Sequence, residues 1–246
     1  MPSRDTPAGY GEFTAGALGP TDAQELSTNE QFAAGGELPA GAVETGTTVV
    51  GLTTDDAVVL GADRRASLGG RFVSNKGMLK IEQVHPTAAM ALSGAVGHIQ
   101  SFTRNLRAET DLYEARRDER MSIDALSTLA GNLLRSAPLH VSPVLGGLDE
   151  EGSAVFSLDA GGGVMADDYA ATGSGMQLAY GVLEREYDPD ATVGEATRSA
   201  ARAIESANER DAASGNGLSV ATITGEGVEI EEFDDPSALA DGEVAA

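Results

Sequence analysis

The sequence predicts an α+β fold, a layered sandwich with sheets inside and pairs of helices outside. Three observations lead there. Runs rich in β-branched residues open the main body of the chain at Thr47, return in its middle and close it. Between these runs, apolar residues recur at helical spacing in two consecutive pairs of segments. Helices that arrive in pairs do not fit single βαβ crossovers, which argues against a parallel sheet wound by alternating helices.

The elements follow in chain order. Residues 1–46 hold eight glycines, four prolines, seven acids and one base, with few large apolar residues. Such a stretch cannot bury enough surface to offset its ordering entropy, so it reads either as a disordered tail or as a removable propeptide. At Thr47 the texture changes. "TTVVGLTTDDAVVLGAD" reads as two strands joined by a turn at "TTDD". "RFVSN", "LKIEQV" and "TAAMALSG" predict three more strands. Ile99, Phe102, Leu106 and Tyr113 then mark one amphipathic helix, and Ile123, Leu126, Leu129 and Leu133 a second. Strands return at "SPVLGGLD", "SAVFSLD" and "DDYAATG". Helices are predicted over 175–187 and 193–212, the latter with a stripe of small residues (Ala196, Ala200, Ala203, Ile204, Ala207) and a glycine-marked stop at "SGNG". "LSVATIT" and "VEIEEF" form a final strand pair. Residues 234–246 read as an acidic C-terminal tail, expected to be mobile.

Composition narrows the function. There is no cysteine, which excludes disulfides, thiol nucleophiles and thiolate metal sites. His85, His98 and His140 are scattered and predict no metal site, and nothing calls for a cofactor. The net charge of −23 repels phosphate backbones and anionic membranes, so neither nucleic acid nor a membrane is an expected partner. Acid spread along the whole chain is the style of a salt-adapted proteome. No apolar run approaches the roughly 20 residues a membrane helix requires, and no secretory signal is visible, so the expected location is cytoplasmic.

Two places carry chemistry. In "ETGTTVVGL" the Gly46-Thr47 bond is a plausible point for a hydroxyl to attack its own preceding carbonyl, because glycine takes backbone conformations that a Cβ forbids. Cleavage there makes Thr47 a chain end that carries a nucleophile and a base together, since an α-amino group titrates at about 7.7–8.0. Ordinary strand threonines fit the same letters. The second place is "SNKGMLK". Of 16 basic residues only Lys76 and Lys80 are lysine. An ammonium beside a terminal amine disfavours its protonation, and a slim lysine enters a narrow site that a guanidinium fork does not. Asp63, at the end of the second strand, is the acid suited to hold such a lysine. Two solvated surface lysines are the plain alternative.

Taken together, "TGTTVVGL", "GADRRAS", "LKIEQV", "ALSGAVG", "YAATGSG" and "ERDAASGNG" resemble the catalytic β-subunit of the archaeal proteasome core particle, of the haloarchaeal type. The resemblance runs from about Glu44 to Phe233. It implies the N-terminal nucleophile hydrolase fold, a four-layer αββα sandwich, with residues 1–46 a propeptide, 47–233 the catalytic domain and 234–246 the tail. It implies that Thr47 is the nucleophile freed by autocatalytic cleavage at Gly46-Thr47, and that Asp63 and Lys80 tune it. "IEQV" sets the register in favour of Lys80 over Lys76, with one extra residue in the "SLGGRF" loop. Gly94 matches the oxyanion-hole glycine; by itself it reads equally as a turn glycine. Ser174, Asp211 and Ser214 match the polar residues that support the terminal amine, although Ser174 and Asp211 also read as helix caps. Ala66, Met78, Leu92 and Val96 match the primary specificity pocket and imply cleavage after hydrophobic residues, with Glu82 an acidic exception. Ser67 and the backbone at Gly94 and Val96 would pair with substrate as an added strand.

The resemblance further implies a threonine endopeptidase in seven-membered β-rings flanked by rings of proteasome α-subunits, fed with unfolded protein by a regulatory AAA ATPase. A ring subunit that has lost activity, and an amidase acting on small molecules, are the competing readings.

Overall fold

The computed structural model describes residues 44–68 and 71–240. The strands are β1 (Glu44–Gly46), β2 (Thr48–Thr53), β3 (Val58–Asp63), β4 (Ala66–Leu68), β5 (Phe72–Asn75), β6 (Ile81–His85), β7 (Ala88–Ala95), β8 (Val141–Asp149), β9 (Gly152–Leu158), β10 (Val164–Asp167), β11 (Tyr169–Gly173), β12 (Leu218–Thr224) and β13 (Gly227–Phe233). The helices are α1 (Val96–Arg117), α2 (Ile123–Ser136), α3 (Met176–Glu186), α4 (Val193–Arg210) and the short α5 (Ser237–Ala240).

Two sheets form. One has eight strands in the order β10-β9-β8-β7-β1-β4-β5, with β6 also paired to β7. The other runs β11-β2-β3-β12-β13. Every strand pairing is antiparallel, which suits short connections. Three apolar clusters set the layers. Val49, Leu60, Ala91 and Val144 pack between the sheets. Phe102, Leu106, Leu126 and Leu134 seal α1 and α2 onto the larger sheet through Met90, Leu92 and Leu145. Ala196, Ala200, Ala203, Ile204 and Ala207 seal α4, with α3, onto the smaller sheet. The result is a four-layer αββα sandwich.

The helices start where side chains take up orphan amides. Ser122 accepts from Ala125 N–H at α2, and Thr192 with Glu195 forms a reciprocal capping box at α4. The small stripe on α4 lets the helix lie close to its sheet: a Cβ on Gly61 would already sit 3.4 Å from the Ala200 methyl.

Several elements depart from the sequence reading. β1, β4, β10 and α5 were not anticipated, and Lys80 precedes its strand. The C-terminal segment is not a free tail up to residue 240. Leu239 and Ala240 are buried, and the Arg202 guanidinium donates to the Ala240 carbonyl at 2.9 and 3.2 Å. Residues 241–246, and residues 1–43 of the expected propeptide, lie outside the described residues.

Candidate active site

The chain enters the site as a strand. β1 lies antiparallel between β4 and β7, with Gly46 opposite Ser67, Thr45 opposite Leu68 and Gly94, and Glu44 opposite Ala95. The residues before Thr47 therefore fill the groove in which an added strand was expected, against the expected Ser67 and Gly94. The reason for glycine at 46 differs from the one expected. Gly46 is not in the left-handed region. Space decides instead: a Cβ there would lie 1.9 Å from the Ala213 Cβ.

Thr47 follows and is fully buried. Asp63, at the end of β3, gathers four donors. Its Oδ1 accepts from Thr48 N–H at 2.9 Å and from Lys80 Nζ at 2.7 Å. Its Oδ2 accepts from Arg65 N–H at 3.0 Å and Gly215 N–H at 2.9 Å. One carboxylate oxygen thus joins the lysine ammonium to the peptide unit beside Thr47. Both side chains are almost wholly buried. Burial lowers the Lys80 ammonium below its ordinary value, against the attraction of Asp63. Burial likewise raises the Asp63 carboxyl, against Lys80 and the backbone donors. Lys80 is placed by its carbonyl, which accepts from Leu92 N–H at 2.8 Å. Lys76, by contrast, is exposed.

A second polar chain runs on the other side of Thr47. Ser174 Oγ lies 2.6 Å from Asp211 Oδ2, and Ser214 Oγ lies 2.7 Å from the same oxygen. Each serine hydroxyl donates to that oxygen, the shorter of the two contacts open to Ser174, whose Oγ also lies 3.3 Å from the Thr47 carbonyl oxygen. Ser174 Oγ is then an acceptor for Thr47 N–H at 3.2 Å, and Ser214 Oγ for the Thr48 hydroxyl at 2.8 Å.

Gly94 requires its residue type. Its φ is +136°, and a Cβ would lie 2.1 Å from the His140 carbonyl oxygen. Beside it opens a pocket of about 390 Å³, lined among others by Ala66, Met78, Lys80, Glu82, Leu92 and Val96. The structure thus brings together every specificity residue named from the sequence except Ser67, which lies on the strand beside β1. The one acid in that wall is not bare: Arg107 pairs with Glu82 at 2.8 Å.

Sequence reasoning missed Arg65. Its Nε donates to Asn216 Oδ1 at 2.9 Å and its Nη1 to the Ala212 carbonyl at 3.0 Å, so one side chain clamps the loop carrying Asp211 and Ser214. The only signal in the letters was its place two residues after Asp63.

This geometry, a buried lysine–carboxylate pair and a serine–aspartate network meeting at Thr47 and Thr48, where β1 ends between β4 and β7, agrees with the comparisons to known proteins. The proteasome subunit family matches residues 43–223. The chain belongs to the proteasome subunit family. It is 62% identical over 193 residues to the proteasome subunit beta of Halorhabdus utahensis, covering 78% of this chain and 82% of that protein. It is 60% identical over 197 residues to proteasome subunit beta 2 of Haloterrigena turkmenica, covering 80% and 83%. With proteasome subunit beta 1 of Haloarcula marismortui it shares 51% identity over 224 residues, 88% and 93% of the two chains. The family carries the N-terminal nucleophile hydrolase fold, and its β-subunits assemble into the rings of the core particle. These relatives come from halophilic archaea, which fits the net charge of −23. No helix among the described residues is long and apolar enough to cross a membrane.

Proposed function

We propose that the chain is a threonine endopeptidase subunit of the proteasome core particle, made as a precursor that cuts its own Gly46-Thr47 bond. The observation that supports this most is the placement of that bond. The segment ending at Gly46 lies as a strand between β4 and β7, in the manner of a substrate, and Thr47 follows, its peptide link to Thr48 donating to Asp63 of the Asp63–Lys80 pair.

In maturation, Thr47 Oγ attacks the Gly46 carbonyl and the Gly46–Thr47 amide bond breaks, which leaves Gly46 esterified to Thr47 Oγ. Water hydrolyses that ester, and the residues up to 46 leave as a propeptide ending in the Gly46 carboxylate. Thr47 N is an amide until its bond to Gly46 breaks, so the first attack draws on another base. Afterwards the nitrogen is a free amine. Ser174 Oγ, whose own proton goes to Asp211, accepts one of its hydrogens and leaves its lone pair for the Thr47 hydroxyl proton. The Lys80 ammonium nearby disfavours a positive charge on that amine and keeps it a base near neutral pH. Thr47 Oγ attacks a peptide carbonyl, and the oxyanion is held by Gly94 N–H, a contribution of about 3 kcal/mol. The leaving amine takes the proton from the Thr47 amine, and water then hydrolyses the ester. The pocket beside Gly94 favours hydrophobic residues before the cut, since Arg107 neutralises its one acid. Unfolded protein fed by an AAA ATPase through α-subunit rings, in the cytoplasm, completes the reading.

The test is Thr47→Ala in the assembled particle, with Thr47→Ser beside it. Thr47→Ala should keep residues 1–46 attached and lose peptide hydrolysis, while Thr47→Ser keeps a measurable fraction. Undiminished hydrolysis by Thr47→Ala particles would leave the chain a ring subunit without a catalytic role.

A further inference from the structure

Two edges of the larger sheet are built as opposites. In a chain with 39 acidic residues, residues 64–81 hold five basic residues and no acid. Three of the five are used within the chain: Arg64 on Glu232 and Asp234, Arg65 on the 212–216 loop, and Lys80 on Asp63. The other two, Arg71 and Lys76, flank the edge strand β5, are exposed and make no ion pair with a described residue. All four residues of β5 are exposed, and Phe72, 65% exposed, stands opposite the exposed Leu68.

At the far end of the same sheet lies β10, also exposed throughout. Residues 159–168 hold three acids and no base. Asp159 is occupied with the amides of Gly161 and Gly163. Asp167 and Asp168 are exposed and make no ion pair with a described residue, and beside them Met165 is 60% exposed.

We propose that the basic hairpin of β4 and β5 in one copy of this chain docks against the acidic β10 edge of the next copy, head to tail. An exposed apolar edge strand is a template for pairing with another chain. Neither edge suits itself: basic would meet basic, or acidic would meet acidic. Opposite charges make the contact heterologous, and a heterologous contact closes into a ring when the rotation permits. The chain is acidic on balance, and this hairpin carries bases with no acid among them, whereas the exposed arginines at the end of α1 (Arg116, Arg117, Arg120) stand beside Asp118 and Glu119. At molar salt the Debye length is about 3 Å, so the charges act only in contact and set the register, while Phe72, Val73 and Met165 supply the buried apolar area. The inference rests on the ring assembly of the family and does not depend on the peptidase reading.

The absence of cysteine makes the test direct. Val73→Cys and Met165→Cys in one chain, treated with a short bis-maleimide in particles purified with their partner subunits, should give a ladder of covalent multimers beyond the dimer. Each single variant should give none. Separately, Arg71→Glu with Lys76→Glu should lower the assembled fraction at least tenfold, and adding Asp167→Lys with Asp168→Lys should restore it. No ladder from the double-cysteine chain would overturn the proposal. So would unchanged assembly of the charge-reversed chain, or failure of the four-fold variant to recover while its circular dichroism stays native.

Discussion

Replacing Lys80 by methionine isolates the buried pair at the centre of the site. The stem and its packing stay, and the ammonium 2.7 Å from Asp63 Oδ1 goes. Asp63 is fully buried, so an uncompensated charge is left in the interior, which costs about 3–5 kcal/mol. Adding Asp63→Asn removes that charge. The asparagine oxygen can still serve Arg65 and Gly215, but its amide group then faces Thr48 N–H, donor against donor. The double variant should therefore recover only part of the loss and remain about 1–3 kcal/mol below wild type. The single variant also acquires a pH dependence. Burial already raises the Asp63 carboxyl above its ordinary value of 3.8, and removing Lys80, which lowers it, raises it further. A raised folded pKa means protons bind the folded state more tightly. The Lys80→Met protein should thus be least impaired in acid, below 3.8, and lose stability as pH rises through the folded value. Urea unfolding of the full-length chain at fixed protein and salt concentration, across pH, reads all three quantities. A penalty for Lys80→Met below about 1 kcal/mol, or one that shrinks as pH rises, would refute the buried-pair argument.

Three further outcomes are expected. Gly46→Ala should block or strongly slow the loss of residues 1–46, because its methyl would sit 1.9 Å from the Ala213 Cβ; mass spectrometry of the particle shows the uncut chain, and normal cutting would deny the close approach. Arg65→Ala should lower kcat more than it raises KM, because it loosens the loop of Asp211 and Ser214 without lining the pocket; the reverse split would place Arg65 in substrate binding. Thr192→Ala should cost about 1 kcal/mol through the lost cap of α4, read by thermal unfolding, and leave peptide hydrolysis per folded particle unchanged.

Much of the fold was legible because long elements carry redundant signals. β2 and β3 announced themselves by β-branched runs around a turn, and α4 by five small or apolar residues on one face. The missed elements lack room for a period. "ASL" and "SALA" are three and four residues long, and "VMAD" follows three glycines, so each reads as loop. β1 was hidden differently. "ETG" becomes a strand only because β4 and β7, distant in sequence, leave a gap between them. In the site, the residue types and places of Thr47, Asp63 and the two lysines suggested chemistry, whereas Ser174, Asp211 and Ser214 came only with the family resemblance. Arg65 escaped because its partners lie 147 and 151 residues away. Glycine at 46 was expected for backbone freedom, whereas the neighbouring Ala213 leaves no space for a side chain.

Intact mass of this chain from the assembled, active particle tests the account most directly. A species beginning at Thr47 is the result it predicts. A particle that hydrolyses peptides while its chains keep residues 1–46 would contradict it.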